Sequence, residues 1–177
     1  MPSLDSRIAR WRQIGTLSIS RHDFRVEGLL LSAVVALDKL LEFVKTLYID
    51  GFTLLDISTL QAKEGFLITY HFDSINDPGR LALRVLVPTN NPVVPSLNNI
   101  FQGAEWHERE STDFFGVRFS GNPNPVPLLL PDDFDGPPPL LKSPESLAPL
   151  SALGLFGTIE SAEPAFAALI DPKADQG

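Results

Sequence analysis

The sequence predicts an α+β fold, a two-layer sandwich of a mainly antiparallel sheet and one or two packing helices, followed by an extended proline-rich C-terminal arm. Three strand-like segments follow one another at hairpin spacing between residues 52 and 87. An amphipathic helical pattern over residues 36–48 precedes them and supplies the packing layer. Of the 16 prolines, 9 fall between residues 121 and 149, so that stretch is predicted to be extended.

The composition excludes several functional classes. The chain has 177 residues, is 44% hydrophobic and has a formal net charge of -8, so we expect a folded core and no nucleic-acid partner. It contains no cysteine, which excludes disulfides, thiolate catalysis and cysteine-ligated iron–sulfur or zinc sites in this chain. The longest apolar run, residues 28–37, is about half of the ~20 residues that a membrane helix needs. The N-terminus lacks the apolar region of a secretory signal, and we expect a cytoplasmic protein.

The first elements are a helix, a strand and an ambiguous apolar segment. Apolar residues recur at helical spacing over residues 4–13 and predict a helix, whose arginines we expect to face solvent rather than a partner or lipid head groups. Residues 15–20 alternate between polar and apolar, which predicts a strand. Periodicity does not separate strand from helix between Phe24 and Ala33, and we favour a strand there.

A helix and three consecutive strands come next. One apolar stripe follows residues 36–48, and Asp50-Gly51 supplies a C-terminal stop. Strands are predicted over Phe52–Ile57, Phe66–Phe72 and Leu81–Val87, separated by the turn-forming sequences AKEG and NDPG. Because hairpin-length connections join antiparallel neighbours, these strands form one sheet with the helix on one of its faces.

The segment after the sheet contains a short turn, one helix and the beginning of the arm. Ser96 can cap a helical turn, and residues 104–115 predict a helix that ends at Gly116. A brief strand can follow over Val117–Phe119. We therefore predict a domain over residues 1–120 and a docking arm with an acidic, weakly apolar tail over residues 121–177.

Charged side chains crowd the helix over residues 104–115. Arg109 lies four residues from both Glu105 and Asp113, so one arginine can pair with two carboxylates along one helix face. An enzyme could use Glu108, Glu110 or Asp113 as a general acid/base pair, which requires a pocket and shifted pKa values. We favour the alternative, in which ion pairs fix the helix against a partner or against its own sheet.

No local motif supports metal, nucleotide or esterase chemistry. The three histidines, His22, His71 and His107, lie far apart in sequence, and none belongs to an HExxH zinc motif. No P-loop, dinucleotide fingerprint or GxSxG elbow is present. We expect each histidine to be a surface residue or a hydrogen-bonded core residue.

The ribbon LLLPDDFDGPPPL, residues 128–140, is the second unusual feature. Consecutive leucines on an extended chain point to both sides, so one set must meet an apolar surface. Proline stiffens such a segment and lowers the entropy that it loses on docking. The ribbon is either a strap over this chain's own sheet or a docking segment, and we favour docking onto another subunit.

A long ordered motif runs through this helix and the ribbon. Its residues are Pro95, Ser96, Ile100, Phe101, Gly103, Ala104, Trp106, Glu108, Arg109, Glu110, Asp113, Phe114, Phe115, Gly116, Phe119, Gly121, Pro123, Leu128, Leu129, Leu130, Pro131, Asp132 and Asp133. On these residues the chain resembles the C-subunit family of NADH-quinone oxidoreductase (respiratory complex I) and the related subunits of energy-converting nickel–iron hydrogenases. The match covers roughly residues 92–135, and the order of elements over residues 15–87 is compatible with it.

The resemblance implies a structural subunit without cofactors in the peripheral arm of a membrane-bound electron-transfer complex. It would pack against the hydrogenase-like large subunit, near the iron–sulfur subunits, while flavin or nickel–iron groups would also belong to partner subunits. It would lie on the cytoplasmic side of the cell inner membrane and meet the membrane only through the complex. The residues expected at the partner interface are Trp106, Glu108, Arg109, Glu110, Asp113, Phe114, Phe115, Leu128, Leu129, Leu130, Pro131, Asp132 and Asp133.

The chain departs from this family pattern at one place. Where the family usually has His-Pro, an acidic residue, leucine and two arginines, residues 122–127 read NPNPVP, and the basic pair downstream is reduced to Lys142. Losing cations that pair with acidic groups on a large subunit favours a changed partner or a divergent branch of the family. This departure strengthens the alternatives of a complex without the NADH module and of the equivalent subunit of an energy-converting nickel–iron hydrogenase. A stand-alone acid/base enzyme that uses Glu110 and Asp113 is a separate alternative.

Overall fold

Five α-helices and eight strands make up the described part of the chain, residues 4–75 and 79–170 of a computed structural model. The helices are α1 Leu4–Ile14, α2 Phe24–Glu27, α3 Leu40–Ile49, α4 Ala104–Phe115 and α5 Pro164–Ile170. The strands are β1 Thr16–Arg21, β2 Leu31–Val35, β3 Thr53–Ala62, β4 Gly65–Asp73, β5 Leu81–Val87, β6 Val93–Pro95, β7 Arg118–Ser120 and β8 Thr158–Ala162.

The main sheet has six strands in the order β3-β4-β5-β2-β1-β8. The predicted consecutive strands pair as antiparallel neighbours, β3 with β4 and β4 with β5. β2 and β5 run parallel, since the chain crosses from β2 through α3 to the far edge before it returns. β6 and β7 form a separate parallel pair that flanks α4 in sequence. The α+β class with a mainly antiparallel sheet is confirmed.

Helices cover one face of the sheet, as the sequence predicts. Leu40, Phe43, Val44 and Leu47 of α3 are buried, whereas Tyr48 is exposed. Trp11 of α1 packs against Phe43 with ring centroids 5.0 Å apart. Alternate residues of β4, Phe66 and Ile68 among them, turn toward this layer because side chains alternate along a strand. The main hydrophobic core therefore lies between the sheet and α1, α3 and α4.

The weakly apolar tail of the chain packs on the opposite face of the sheet. β8 pairs with β1 at the edge of the sheet, and Phe166 and Ile170 of α5 are buried against Val34 and other residues of the second face. The second face of the sheet carries apolar side chains, and the tail packs there because it removes them from water. The predicted extended conformation holds for residues 121–142, while the division at residue 120 into a domain and a docking arm stays a prediction.

The prediction of a strand from Phe24 onward is wrong for its first half. The carboxylate of Asp23 accepts a hydrogen bond from the Arg25 N–H at 2.9 Å and caps the single-turn helix α2. Gly28, in the left-handed conformation with φ 68°, ends that helix, and β2 begins only at Leu31. Local capping therefore decides the structure of this apolar stretch.

The expected solvated face of α1 is present for Arg10 and Arg12, which are exposed, and is wrong for Arg7, which is buried. The Arg7 guanidinium lies over the Phe52 ring at 5.0 Å from its centroid, and that side chain is buried. Arg10 donates to both carboxylate oxygens of Asp50, at 2.6 and 2.8 Å. These contacts anchor α1 to the end of α3 and the start of β3.

Candidate partner interface

The helix α4 has the boundaries that the sequence predicts, and it lies against the edge strand β3. Gly116 at its C-terminus has φ 72°, a conformation that glycine adopts without strain, and donates its N–H to the Thr112 carbonyl. Ser111 is buried and lies 3.0 Å from the Thr59 hydroxyl of β3. This packing fixes which side of α4 faces inward and which side faces solvent.

Glu108 is fully buried at the inner side of α4. Its carboxylate accepts hydrogen bonds from the Ser96 hydroxyl and the Leu97 N–H, both at 2.7 Å, and from the Asn122 amide at 2.8 Å. Burial raises the pKa of Glu108, and these three hydrogen bonds oppose that rise because they favour the charged form. Glu108 thus joins the turn before α4 to Asn122, in the segment that leads into the ribbon.

Asp113 binds the ribbon directly. One oxygen of its carboxylate, Oδ2, accepts the N–H groups of Leu128, Leu129 and Leu130 at 2.9, 2.7 and 3.1 Å. The Asp113 side chain is buried, whereas Leu129 itself is largely exposed. A single carboxylate oxygen therefore holds three consecutive residues of a segment that has no regular structure.

Arg109 binds the same segment from its other end. Its Nε donates to the Val126 carbonyl and its Nη2 to the Pro127 carbonyl, both at 2.9 Å. The predicted pair with Glu105 is present at 3.3 Å, but Asp113 uses its carboxylate on the ribbon rather than on Arg109. We call Arg109, Asp113 and the backbone of residues 126–130 the clamp.

The predicted interface residues divide into an internal set and an exposed set. The side chains of Glu108 and Asp113 are buried and bonded within the chain, and that of Arg109 is only 11% exposed. Phe115 packs edge-on against Phe66 of the sheet with ring centroids 6.3 Å apart. The exposed set comprises Trp106, Glu110, Leu129, Pro131, Asp132 and Asp133, with Phe114, Leu128 and Leu130 half-buried.

The exposed set presents apolar side chains and carboxylates along α4 and the ribbon. Trp106 is 64% exposed, and Leu129 in the ribbon is 58% exposed. Phe134 and Leu140 are exposed further along the ribbon, and the Leu140 N–H donates to the Phe114 carbonyl at 3.1 Å. Large exposed apolar groups held by internal bonds are typical of surfaces that bind another protein.

An acid/base pair of Glu110 and Asp113 finds little support in this geometry. Asp113 is buried and accepts three hydrogen bonds at one oxygen, while Glu110 is exposed on α4. Glu110 does line a groove of about 350 Å³ between α4 and β3, together with Phe114 and Leu140. The two carboxylates therefore have different surroundings, one buried and one exposed.

Two histidines that are far apart in sequence meet around one aspartate. Nδ1 of His71 lies 3.4 Å from Asp56 Oδ2, and Nδ1 of His107 lies 3.5 Å from Asp56 Oδ1. Burial lowers the pKa of His71, and the Asp56 carboxylate opposes this. This contact forms because β3 pairs with β4 and α4 crosses β3. The spacing of the histidines in the sequence predicts neither arrangement.

The third histidine is a hydrogen-bonded core residue, as expected. The side chain of His22 is fully buried between Glu27 at 2.6 Å and Ser32 at 2.7 Å. Across residues 4–75 and 79–170, no group of three or more histidine, aspartate or glutamate side chains is arranged to hold a metal ion. None of the helices in the same ranges is long and apolar enough to cross a membrane.

Comparison with protein families identifies the region that contains α4 and the ribbon. The model of the family described as the respiratory-chain NADH dehydrogenase 30 kDa subunit matches residues 33–146. This match runs from β2 to beyond the ribbon and confirms the resemblance that the sequence predicts.

Curated relatives share part of the chain. It is 39% identical over 82 residues to the C subunit of the NADH-quinone oxidoreductase of Roseiflexus sp. (strain RS-1), covering 46% of this chain and 47% of that protein. It is 44% identical over 69 residues to the corresponding C subunit of Mycobacterium avium (strain 104), covering 39% of this chain and 29% of that protein. The chain thus matches about half the length of these relatives, or less.

Two solved structures share the fold. A trypsin-resistant fragment of Nqo5 has a TM-score of 0.60 and 27% sequence identity, covering 68% of this chain and 98% of the fragment. A chain of the membrane-bound sulfane sulfur reductase, an archaeal respiratory membrane complex, has a TM-score of 0.57 and 23% identity, covering 67% of this chain and 71% of that one. The second likeness concerns the fold alone.

Proposed function

Because this chain belongs to the family of the respiratory-chain NADH dehydrogenase 30 kDa subunit, we propose that it is a structural, cofactor-free subunit in the peripheral arm of a membrane-bound electron-transfer complex of that type. The observation that carries this proposal is the clamp, which lies inside the family match. The clamp holds an otherwise irregular ribbon against α4 and presents its apolar side chains outward.

The charges of α4 support a structural task. A catalytic acid or base must reach a substrate with a free oxygen or nitrogen. Glu108 and Asp113 instead direct their carboxylates at backbone and side-chain donors of the same chain. Among the exposed side chains, Trp106 and Leu129 are large apolar groups of the kind that contact another protein.

The partner that fits best is the hydrogenase-like large subunit of the same complex, with the iron–sulfur subunits nearby. An interface of this kind needs a rigid apolar centre, which α4 and the clamped ribbon supply together. In this arrangement the chain lies on the cytoplasmic side of the cell inner membrane and meets the bilayer only through its partners. Clusters, flavin and any nickel–iron site belong to those partners.

Affinity purification tests this proposal. The full chain with a terminal tag is expressed in its own host, membranes are solubilised in mild detergent, and the co-purifying proteins are identified by mass spectrometry. We expect a hydrogenase-like large subunit and iron–sulfur subunits in stoichiometric amounts. Recovery of the chain alone, or turnover of a substrate by the purified chain without partners, would contradict the proposal.

The same experiment decides between two branches of the family. A co-purifying large subunit that retains two CxxC pairs indicates an energy-converting nickel–iron hydrogenase, because those cysteines would hold the nickel–iron site. A large subunit without them, together with quinone-dependent oxidation of NADH by the purified assembly, indicates a complex I-type enzyme.

A further inference from the structure

A pocket of about 340 Å³ lies beside the clamp and shares no lining residue with the Glu110 groove. Arg109 of α4 forms one wall, and Arg118 and the ring of Phe119 in β7 form another. Thr112 of α4 and three residues that precede the ribbon, Asn122, Pro125 and Val126, complete the lining. Its volume is at the lower end of the range of small-ligand sites, which is enough for one or two side chains of an incoming segment. We call it the Arg118 pocket.

The hydrogen-bonding capacity that remains in the pocket is almost entirely donor capacity. Asn122 uses both amide hydrogens, on Glu108 Oε2 at 2.8 Å and on the Glu105 carbonyl at 3.2 Å, and its oxygen accepts the Asn124 N–H at 2.9 Å. The Thr112 hydroxyl hydrogen is directed at backbone carbonyls, at 2.7 and 3.0 Å. The two guanidinium groups keep unused N–H donors, so a ligand must supply acceptors.

The charge in the pocket is concentrated on Arg118. Arg109 has Glu105 as a counter-ion at 3.3 Å and spends two further donors on the ribbon. Among the residues that the structure describes, Arg118 has no carboxylate within ion-pair distance, and its guanidinium donates to the Asn91 side-chain oxygen at 3.1 Å. On a chain with a net charge of -8, this is a local cation without compensation.

The remaining walls are apolar. Phe119 is nearly buried at the base of the pocket, and Val126 is 52% exposed at its rim. A ligand that fits therefore combines an anionic acceptor with a short aliphatic stem. An arginine beside a partly dehydrated apolar wall forms stronger hydrogen bonds to a carboxylate than it would in water.

We propose that the Arg118 pocket receives an aspartate or glutamate side chain of the partner subunit, with its carboxylate on Arg118 and its methylene groups on Phe119 and Val126. This inference rests on the proposed function. It adds an ion-paired specificity contact beside the exposed apolar side chains. The pocket adjoins the clamp, because Arg109 belongs to both. An acidic residue seated there would fix the register of the partner along α4.

Charge reversal at the pocket tests the inference in the assembled complex. Tagged wild type, Arg118→Glu and the matched control Arg25→Glu, an exposed arginine of α2, are expressed in the host and purified at 50, 150 and 300 mM salt. We expect Arg118→Glu to recover at least ten-fold less large subunit than wild type at 150 mM, and Arg25→Glu to equal wild type. Thermal unfolding of each purified chain checks that the Arg118 variant is folded, as its exposed position predicts.

The outcomes separate the two proposals. If wild type recovers no partner subunits, the proposed function fails and this inference fails with it. If wild type and a folded Arg118→Glu recover the large subunit equally, only the acidic contact is overturned. A photo-crosslinking residue at position 126 identifies the occupant directly: we expect a large-subunit peptide with an acidic residue close to the crosslink. A crosslinked peptide without aspartate or glutamate would refute the assignment even if recovery is reduced.

Discussion

Removing the Asp113 carboxylate should release the ribbon while leaving the sheet domain folded. Asp113 Oδ2 accepts three N–H groups, at 2.7 to 3.1 Å. Hydrogen bonds to a charged group contribute about 1.5–3 kcal/mol each, but the released donors regain water because Leu129 is 58% exposed. Taking about 1 kcal/mol for each bond, Asp113→Ala loses about 3 kcal/mol of local stability. Asp113→Asn keeps one neutral acceptor and should lose about half as much.

Hydrogen exchange of backbone amides measures this loss at the residues concerned. A local cost of about 3 kcal/mol corresponds to a roughly 100-fold fall in the protection of the Leu128, Leu129 and Leu130 amides in Asp113→Ala. The amides of β4 and β5 should exchange as in wild type, since the ribbon contributes little to the core of the sheet. Asp133→Ala is the matched control, because that neighbouring carboxylate is exposed on the ribbon itself.

Two results would refute the argument. If the three leucine amides are unprotected in wild type, the clamp is not formed in solution. If the three leucine amides are equally protected in Asp113→Ala and Asp133→Ala, the hydrogen bonds to Asp113 do not hold the ribbon in place. Global unfolding of Asp113→Ala at 25 °C would show instead that the ribbon is part of the core.

Three further predictions concern the rest of the molecule. Because burial raises the pKa of Glu108, the folded chain binds the Glu108 proton more tightly than the unfolded chain does. The free energy of unfolding should therefore fall as pH rises from about 4.5 through the folded pKa. Urea unfolding measures this as the difference in free energy of unfolding between wild type and Glu108→Gln, which should decrease over that pH range. By NMR, the His71 imidazole should titrate below 6.5, and Asp56→Asn should lower its pKa further, since the carboxylate favours the imidazolium; an unchanged value would exclude their contact. Phe166→Ala should lower the free energy of unfolding by about 3 kcal/mol, because that ring is 5% exposed and packs on Phe156; no loss would mean that α5 is detached from the sheet.

The helices and strands with a clear period were predictable. The boundaries of α4 follow from Gly103 before it and from Gly116, which ends it with positive φ. The order and pairing of β3, β4 and β5 follow from their short connections. The family motif spans the same region, and it indicates that α4 and the ribbon belong to one structural unit.

The partners of individual side chains were not predictable from spacing. Arg109 and Asp113 have the spacing of a helical ion pair, yet both turn to the ribbon, because backbone groups there lack other partners. Residues 164–170 pack on the second face of the sheet, where Arg84 lies under Phe156 at 5.7 Å and burial lowers its pKa to about 10. Such long-range contacts depend on the topology of the sheet, and the weakly apolar pattern of the tail does not show which face of the sheet it contacts.

The positions of the prolines explain why one aspartate, Asp113, can fix the conformation of the ribbon. Between Pro123 and Pro131, prolines also occupy positions 125 and 127, so residues 128–130 are the one run of three consecutive N–H donors in that stretch. All three donors go to Asp113, whereas the carbonyls before them go to Arg109.

The same pattern connects the charged helix to the proposed docking. Prolines restrict the unbound ribbon, and the clamp fixes what freedom remains, so little conformational entropy is left to lose when a partner binds. The charges that resemble a catalytic set thus act before association, by holding Leu129 and its neighbours in place. Arg118 lies outside the clamp and has no counter-ion among the described residues, which makes it the cation of this surface that can select a partner.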